Sequence, residues 1–255
     1  MICEITNPNC VSPLFGDWQE SLIRSCLQGV MGKIYADDSE HPAAAMAILG
    51  DFSFYAGKPS AELVSYKPDW CTQDFIIMVP QNDVWKDTII QYYKDKAKIV
   101  SRYAIKKEPG IFDKEKLEKA VASLPGGYKL RMIDEQLYHM CKSEPWSADL
   151  VSNFASYEDY SNLGLGAVIL KDNVIVSGAS SYSRYREGIE IEIDTKEDYR
   201  QKGLAYACGA KLILECLKRN LYPSWDAQNK ISVALAEKLG YHYSHAYTAI
   251  EICGY

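Results

Sequence analysis

The chain has 255 residues, 47% of them hydrophobic, enough for one large or two modest cores. Its 28 Lys and Arg stand against 34 Asp and Glu, and the net charge of −6 with no basic run argues against nucleic acid or an anionic membrane as main partner. No apolar run is long enough to span a bilayer, and Met1-Ile-Cys-Glu-Ile-Thr6 lacks the basic and apolar regions of a signal peptide, so a cytoplasmic protein is expected.

A helix is expected over 17–31, with Trp18, Leu22, Cys26 and Leu27 on one stripe. Strands follow near 33–36, 45–49 and 52–56, and Pro59-Ser60 starts a short helix. The wholly apolar run Phe75-Ile-Ile-Met-Val79 reads as a strand covered on both faces. A helix over 83–98, a strand over 99–105 and a charged helix over 114–123 complete the first half. Pro125-Gly-Gly127 is a strong break, and a domain boundary is placed at 125/126. The second half begins with a strand at 129–133 and helical stretches through Tyr138 and over 149–154. Strands 163–170 and 174–179 form a hairpin about Lys171-Asp-Asn173, which supplies turn chemistry. After the strand 189–194 comes a helix over 204–219, with Leu212, Ile213, Cys216 and Leu217 inward and Lys211, Glu215, Lys218 and Arg219 toward water. A short strand at 222–226, a helix at 231–239 ended by Gly240, and a strand at 241–252 close the chain.

The eight cysteines form no CxxC pair, and most lie in apolar segments, as reduced and buried thiols would. Only His242 and His245 lie close together among the histidines, and no third ligand stands near them, so no metal site is expected.

The stretch Arg200-Gln-Lys-Gly-Leu-Ala205 carries the most chemistry. It joins the strand Ile189-Glu-Ile-Glu-Ile193 to an amphipathic helix. A glycine turn at that junction exposes consecutive backbone N–H groups, and the helix dipole adds positive potential there. Gly203 has no Cβ, so a phosphate can approach the main chain. Glu190, Glu192 and Asp194 alternate with isoleucines, so on a regular strand they share one face, as a solvated or ion-paired row or as proton acceptors. A bulge in that strand would re-aim them.

The order β-α-α-β-β-β-α-β-α-β over roughly residues 127–255 resembles the GNAT superfamily of acyl-CoA-dependent N-acetyltransferases. Three blocks carry the resemblance in the family's order: Thr195-Lys-Glu-Asp-Tyr-Arg-Gln-Lys-Gly-Leu-Ala205, Trp225-Asp-Ala-Gln-Asn229 with Ser232, and Glu237-Lys-Leu-Gly-Tyr241. Leu214-Glu-Cys-Leu217 with Tyr222-Pro-Ser-Trp-Asp226 is similar to the branch that includes zwittermicin A resistance acetyltransferases. The resemblance implies an α/β (α+β) fold, in which a mixed sheet flanked by helices forms the domain 126–255.

The same resemblance implies that the strand before the glycine loop and the strand after it splay apart and take the pantetheine arm of acetyl-CoA in the gap. Ile193, Asp194, Thr195, Arg200, Gln201, Lys202, Gly203, Leu204 and Ala205 are the expected cofactor contacts, with Asn229 and Ser232 from the following helix. Asn229 is equally a candidate N-cap. Glu192 or Glu190 is the expected base for the acceptor amine. Many members carry a Tyr four residues before the helix-ending Gly, where this chain has Ala236. Tyr241, Tyr243, Tyr247, Ser232 or water could supply the acid instead, or the thiolate could leave without one.

Residues 1–125 carry no recognised motif. Their order loosely echoes the second half, so they are read as an N-terminal α/β domain, a degenerate GNAT-like unit that walls the acceptor cleft and binds no CoA, because Pro80-Gln-Asn-Asp83 lacks Arg-x-x-Gly-x-Ala. The expected activity is transfer of acetyl to a primary amine of a small molecule. A non-catalytic CoA-binding sensor and a peptide or protein acetyltransferase are the alternatives, and a homodimer is left open.

Overall fold

The computed structural model describes all 255 residues. They form two compact units, Met1–Arg102 with Ala246–Tyr255, and Tyr103–His245. The first unit contains β1 (Cys3–Glu4), α1 (Ser12–Phe15), α2 (Ser21–Leu27), β2 (Lys33–Ala36), β3 (Ala44–Leu49), β4 (Phe52–Gly57), α3 (Ala61–Ser65), β5 (Phe75–Pro80), α4 (Asp83–Tyr93) and most of β6 (Ala97–Ile105). The helix expected over 17–31 is confined to α2, because Gly29 leaves it in a left-handed conformation at φ +63. Strands β2, β3 and β4 form an antiparallel meander, and β5 then lies parallel to β4. Every residue of β3, Ala-Ala-Met-Ala-Ile-Leu, is buried, as an apolar run with layers on both faces must be. Met46, Ile48, Tyr55, Ile76, Met78 and Trp85 build this core with Ile250 and Ile252 of the last strand.

The second unit contains α5 (Lys114–Ala122), β7 (Tyr128–Met132), α6 (Glu135–Ser143), α7 (Tyr157–Leu163), β8 (Gly166–Lys171), β9 (Val174–Tyr185), β10 (Gly188–Thr195), α8 (Leu204–Lys218), β11 (Tyr222–Ser224), β12 (Asp226–Ala227) and α9 (Lys230–Leu239), and β13 (Tyr243–Cys253) leads back into the first unit. Its sheet runs β11-β10-β9-β8-β7. The hairpin between β8 and β9 turns on Asp172 and Asn173, both at positive φ, where these residue types are tolerated best after glycine. Helix α7 is capped by Ser156, whose capping box with Asp159 is its local signal, and of the expected stretch 149–154 only residues 149 and 150 are helical, in the 3-10 turn Ala148–Leu150.

The compact units part at 102/103 and 245/246, not at the 125/126 break. Helix α5 explains the difference: its Leu117 and Ala120 are buried in one cluster with Leu212, Ile213 and Cys216 of α8. The glycine turn after Leu124 therefore lies inside the second unit. On β10, Ile189 and Ile191 enter the same cluster, each worth roughly 2 kcal/mol of apolar burial.

Glu215 departs from its expected solvent-facing place, being only 7% exposed. Burial alone would raise its carboxyl, but bonds from Lys211, Lys218 and Arg219 outweigh that and hold it at about 2. A folded value below the ordinary 4.5 means that the stabilisation is complete above pH 4.5 and is lost as pH falls toward 2. With solvent screening at Lys218 and Arg219, it is worth about 2 kcal/mol at neutral pH. Glu215→Gln therefore lowers stability at pH 7 by that amount and flattens the acid limb of the stability curve, as read by urea unfolding across pH.

Candidate active site

The site grows from the way two parallel strands part. Strand β11 pairs with β10 at Gly188–Tyr222, Ile189–Pro223 and Glu190–Ser224, and there the pairing stops. The chain turns aside at Trp225, and Asp226 and Ala227 pair with Ala104 and Tyr103 of β6 instead. Residues Ile191–Thr195 of β10 continue with β9 on one side and a gap on the other. Lys196 N–H donates to Val176 of β9, and Glu187 C=O accepts from Tyr222. Alternation between those two points turns the main-chain groups of Ile191, Ile193 and Thr195 toward the gap.

The gap opens onto the loop Arg200–Ala205. Gln201 and Gly203 both have positive φ, +60 and +78, so the loop doubles back and delivers Gly203 as the N-cap of α8. No side chain caps this 15-residue helix, and no acid stands in its first turn. Its leading N–H groups and dipole thus face outward without a competing carboxylate. A Cβ placed on Gly203 would meet nothing within 4 Å, so the main chain there is open to an approaching anion. Arg200 Nε donates to the Thr195 carbonyl at 3.1 Å, which fixes the guanidinium at the end of β10. Lys202 Nζ donates to Asp198 O and lies 4.8 Å from the Tyr199 ring centre.

The remaining expected residues divide by what they can offer. The side chain of Ile193 packs toward α8, where a Cβ on Gly209 would meet its Cδ1 at 3.1 Å, so only its backbone can serve a ligand. Leu204 is 1% exposed and likewise offers its N–H alone. Asn229 caps α9, its Oδ1 accepting from Ser232 N–H, which leaves the Nδ2 donors for other use. Ser232 Oγ accepts a 3.1 Å bond from Trp225 Nε1.

Glu190, Glu192 and Asp194 share the face opposite the isoleucines. A register shift does occur between Glu190 and Ile191, but the extra residue is Tyr182 of β9, so the alternation along β10 survives. Glu190 is 6% exposed and lies within the paired part of the strand, opposite Ser183 and Ser224. The Oγ of Ser183 is buried without a hydrogen-bond partner. Glu192 is half-buried, beside the open section and opposite Ser180, whose Oγ bonds the Tyr160 hydroxyl at 2.9 Å. Burial raises the Asp194 carboxyl, against the opposing pull of the Thr195 N–H and Arg200.

The acid candidates fare unevenly. Ala236 is fully buried and has no proton to give. Tyr241 is also buried, donates its hydroxyl to Pro223 O at 2.7 Å, and is pushed far above the phenol range by desolvation. Tyr243 is exposed, and Tyr247 belongs to the first unit. Burial raises the thiols of Cys208 and Cys216 to about 12, so neither is a thiolate nucleophile.

The first unit repeats the element order, meander then helix then parallel strand then helix. The loop equivalent to Arg200–Ala205 therefore follows β4, at Gly57-Lys-Pro-Ser60, and not at residues 80–83 as the sequence reading matched it. Here the strands do not part. Pairing runs from Phe52–Ile77 to Tyr55–Pro80, Gln81 N–H donates to Tyr55 O, and Gly57 N–H donates to Gln81 Oε1.

A family model described as GNAT acetyltransferase matches residues 12–250, well beyond the half in which the motifs were found. The chain is 29% identical over 244 residues to the uncharacterized N-acetyltransferase YdfB of Bacillus subtilis (strain 168), covering 87% of this chain and 85% of that protein. A GCN5-related N-acetyltransferase-like protein from Streptococcus suis 89/1591 superposes with a TM-score of 0.91 at 49% identity, covering 96% of this chain and 98% of that one. A tandem GNAT protein from the clavulanic acid biosynthesis pathway shares the fold, with a TM-score of 0.53 at 9% identity over 88% of this chain and 83% of its own. With its mixed sheet, its glycine loop and these likenesses, the chain belongs to the GNAT acetyltransferase family of N-acetyltransferases.

Proposed function

We propose that the protein moves acetyl from acetyl-CoA to a primary amine of a small molecule, by direct transfer in a ternary complex within the unit Tyr103–His245. The observation that carries this reading is the gap beside Ile191–Thr195, which ends at an uncapped helix N-terminus over an open Gly203. Both features fit an elongated ligand with amides in its arm and a diphosphate at one end. Backbone N–H groups from Gln201 to Ala205 would hold the diphosphate, with Arg200 adding charge. Main-chain groups of Ile191 and Ile193, with the second lone pair of the Thr195 carbonyl, would meet the pantetheine amides, and Asn229 and Ser232 the facing side. Asp194, next to Arg200, would act on the strand end. Acetyl-CoA supplies an acyl group already activated as a thioester.

Glu192 is the better placed base. It borders the open section, whereas Glu190 lies in the paired part of β10. Its carboxylate would accept the proton that an ammonium acceptor must lose before attack, directly or through water. The raised thiols leave no support for a covalent acyl-enzyme route. The acidic net charge and the blocks similar to zwittermicin A resistance acetyltransferases support a small, cationic acceptor and a cytoplasmic setting. One observation favours a second reading, a CoA-binding protein without transfer: the buried Ala236 in the usual acid slot.

The first unit is read as a degenerate GNAT-like unit, because its strands stay paired where the second unit's part. Calorimetry is therefore expected to give one acetyl-CoA per chain. Gly203→Val places a branched side chain where the phosphate would approach and strains a φ of +78 by about 1–2 kcal/mol, so it abolishes binding while the protein stays folded. In a CoA-release assay over an amine panel, Glu192→Gln lowers kcat at least about 100-fold with little change in acetyl-CoA affinity. An unchanged rate in the Glu190→Gln, Glu192→Gln double variant refutes the base assignment. Binding without release for any amine favours the second reading.

A further inference from the structure

We propose that Trp225 is a positioning residue that holds the strand gap open, through its hydrogen bond to Ser232 at the start of α9. The proposal rests on the reading of that gap as the acyl-CoA site. The two units of this chain correspond position by position around this connection. In each, a strand parallel to the meander leads into a helix capped by Asn: Asn82 accepts from Trp85 N–H, and Asn229 from Ser232 N–H. The dipeptides Gln81-Asn82 and Gln228-Asn229 mark the same point.

Two differences lie in the connection from this strand to the helix. Ile77 N–H donates to Asp51 O as Tyr222 N–H donates to Glu187 O, so Ile77 and Tyr222 are equivalent. Asn82 follows Ile77 by five residues, whereas Asn229 follows Tyr222 by seven. The second connection thus has two extra residues with which to leave the sheet. The other difference is the residue three positions into the helix. In the first unit it is Trp85, fully buried, its ring tilted against that of Tyr55 at 5.4 Å and donating Nε1–H to Gly57 O at the end of β4. That indole fastens helix and strand together. In the second unit the same position is the small Ser232, and the tryptophan stands on the strand side as Trp225.

Each residue from Pro223 to Ala227 is tied to something other than the far end of β10. Pro223 O accepts from Tyr241, and Ser224 Oγ bonds the Tyr185 hydroxyl at 2.9 Å. Trp225 is 6% exposed, lies edge-on to Tyr241 at 5.5 Å, and reaches across to Ser232. Asp226 and Ala227 pair with β6. Of these ties, only the Trp225 bond joins the diverging strand to the helix that carries Asn229. It therefore holds the α9 face to the departing strand, on the side of the gap away from β10. Since Ser232 Oγ accepts from the indole, its own proton remains to donate to a ligand in the gap.

The test uses the full chain and four variants. Trp225→Phe keeps the ring against Tyr241 but removes the donor. Ser232→Ala removes the acceptor, and Ser232→Thr restores it. The fourth combines Trp225→Phe with Ser232→Ala. Acetyl-CoA calorimetry is paired with amide hydrogen exchange of the ligand-free proteins. Trp225→Phe and Ser232→Ala are expected to weaken binding about five- to tenfold, as the loss of one hydrogen bond would. The double variant should be no weaker than Ser232→Ala alone, which already lacks both the indole bond and the serine hydroxyl, and Ser232→Thr should bind as the parent does. Exchange should quicken across residues 225–232 while α8 keeps its protection. Trp225→Phe with parental affinity and exchange overturns the proposal, as does a double variant whose losses add. If the parent chain binds no acetyl-CoA, the cofactor reading fails, and the exchange data alone decide for or against the Trp225 bond.

Discussion

The function proposed for this chain depends on two parallel strands that stop pairing after Glu190 and Ser224. A continuous ladder would satisfy the backbone and leave no room for a ligand. Breaking it exposes main-chain donors and acceptors along Ile191–Thr195, a cost that folding accepts only where neighbouring groups compensate. On the departing side, Tyr241 takes the Pro223 carbonyl, and β6 takes Asp226 and Ala227. On the β10 side, Arg200 takes the Thr195 carbonyl, Asp194 Oδ1 takes the Thr195 N–H, and the groups of Ile191 and Ile193 face the gap. That asymmetry is what the proposed binding of an amide-bearing ligand rests on.

The first unit shows what the same element order does without these devices. Its strands pair to their ends, Gln81 closes the last turn, and Trp85 covers the junction. Its helix after the meander, α3, has 5 residues against 15 in α8, so it offers a far weaker dipole to an anion. The two units share the element order but differ at this strand: β5 is held between β4 and β13, whereas β11 is the edge of its sheet. The family likeness runs through both, since the match spans residues 12–250.

Local features were legible in the sequence and long-range ones were not. A turn needing positive φ between strand and helix demands a residue such as Gly203, and the isoleucine-acid alternation fixes which face of β10 meets the core. These arise within a few residues of the chain. The Trp225–Ser232 bond, the Tyr182 bulge and the Tyr241–Pro223 bond need the tertiary fold, and none has a spacing that announces it. Glu215 looked like a solvated helix position because its burial comes from cations closing over it. The repeat in the first half is legible only as a loose echo, because it lacks the glycine loop that would fix the alignment. The apolar strand 75–79 was then matched to the wrong strand, which shifted the expected loop to residues 80–83.

The central claim is that the parted strands of the second unit, and not the paired strands of the first, receive the acyl-CoA. Backbone amide resonances followed during addition of acetyl-CoA test it directly. The account predicts shifts confined to residues 191–195, 201–205 and 229–232, with residues 52–60 and 77–85 unmoved. Shifts centred on residues 52–60, or a spectrum unaltered by saturating acetyl-CoA in a folded protein, contradict it.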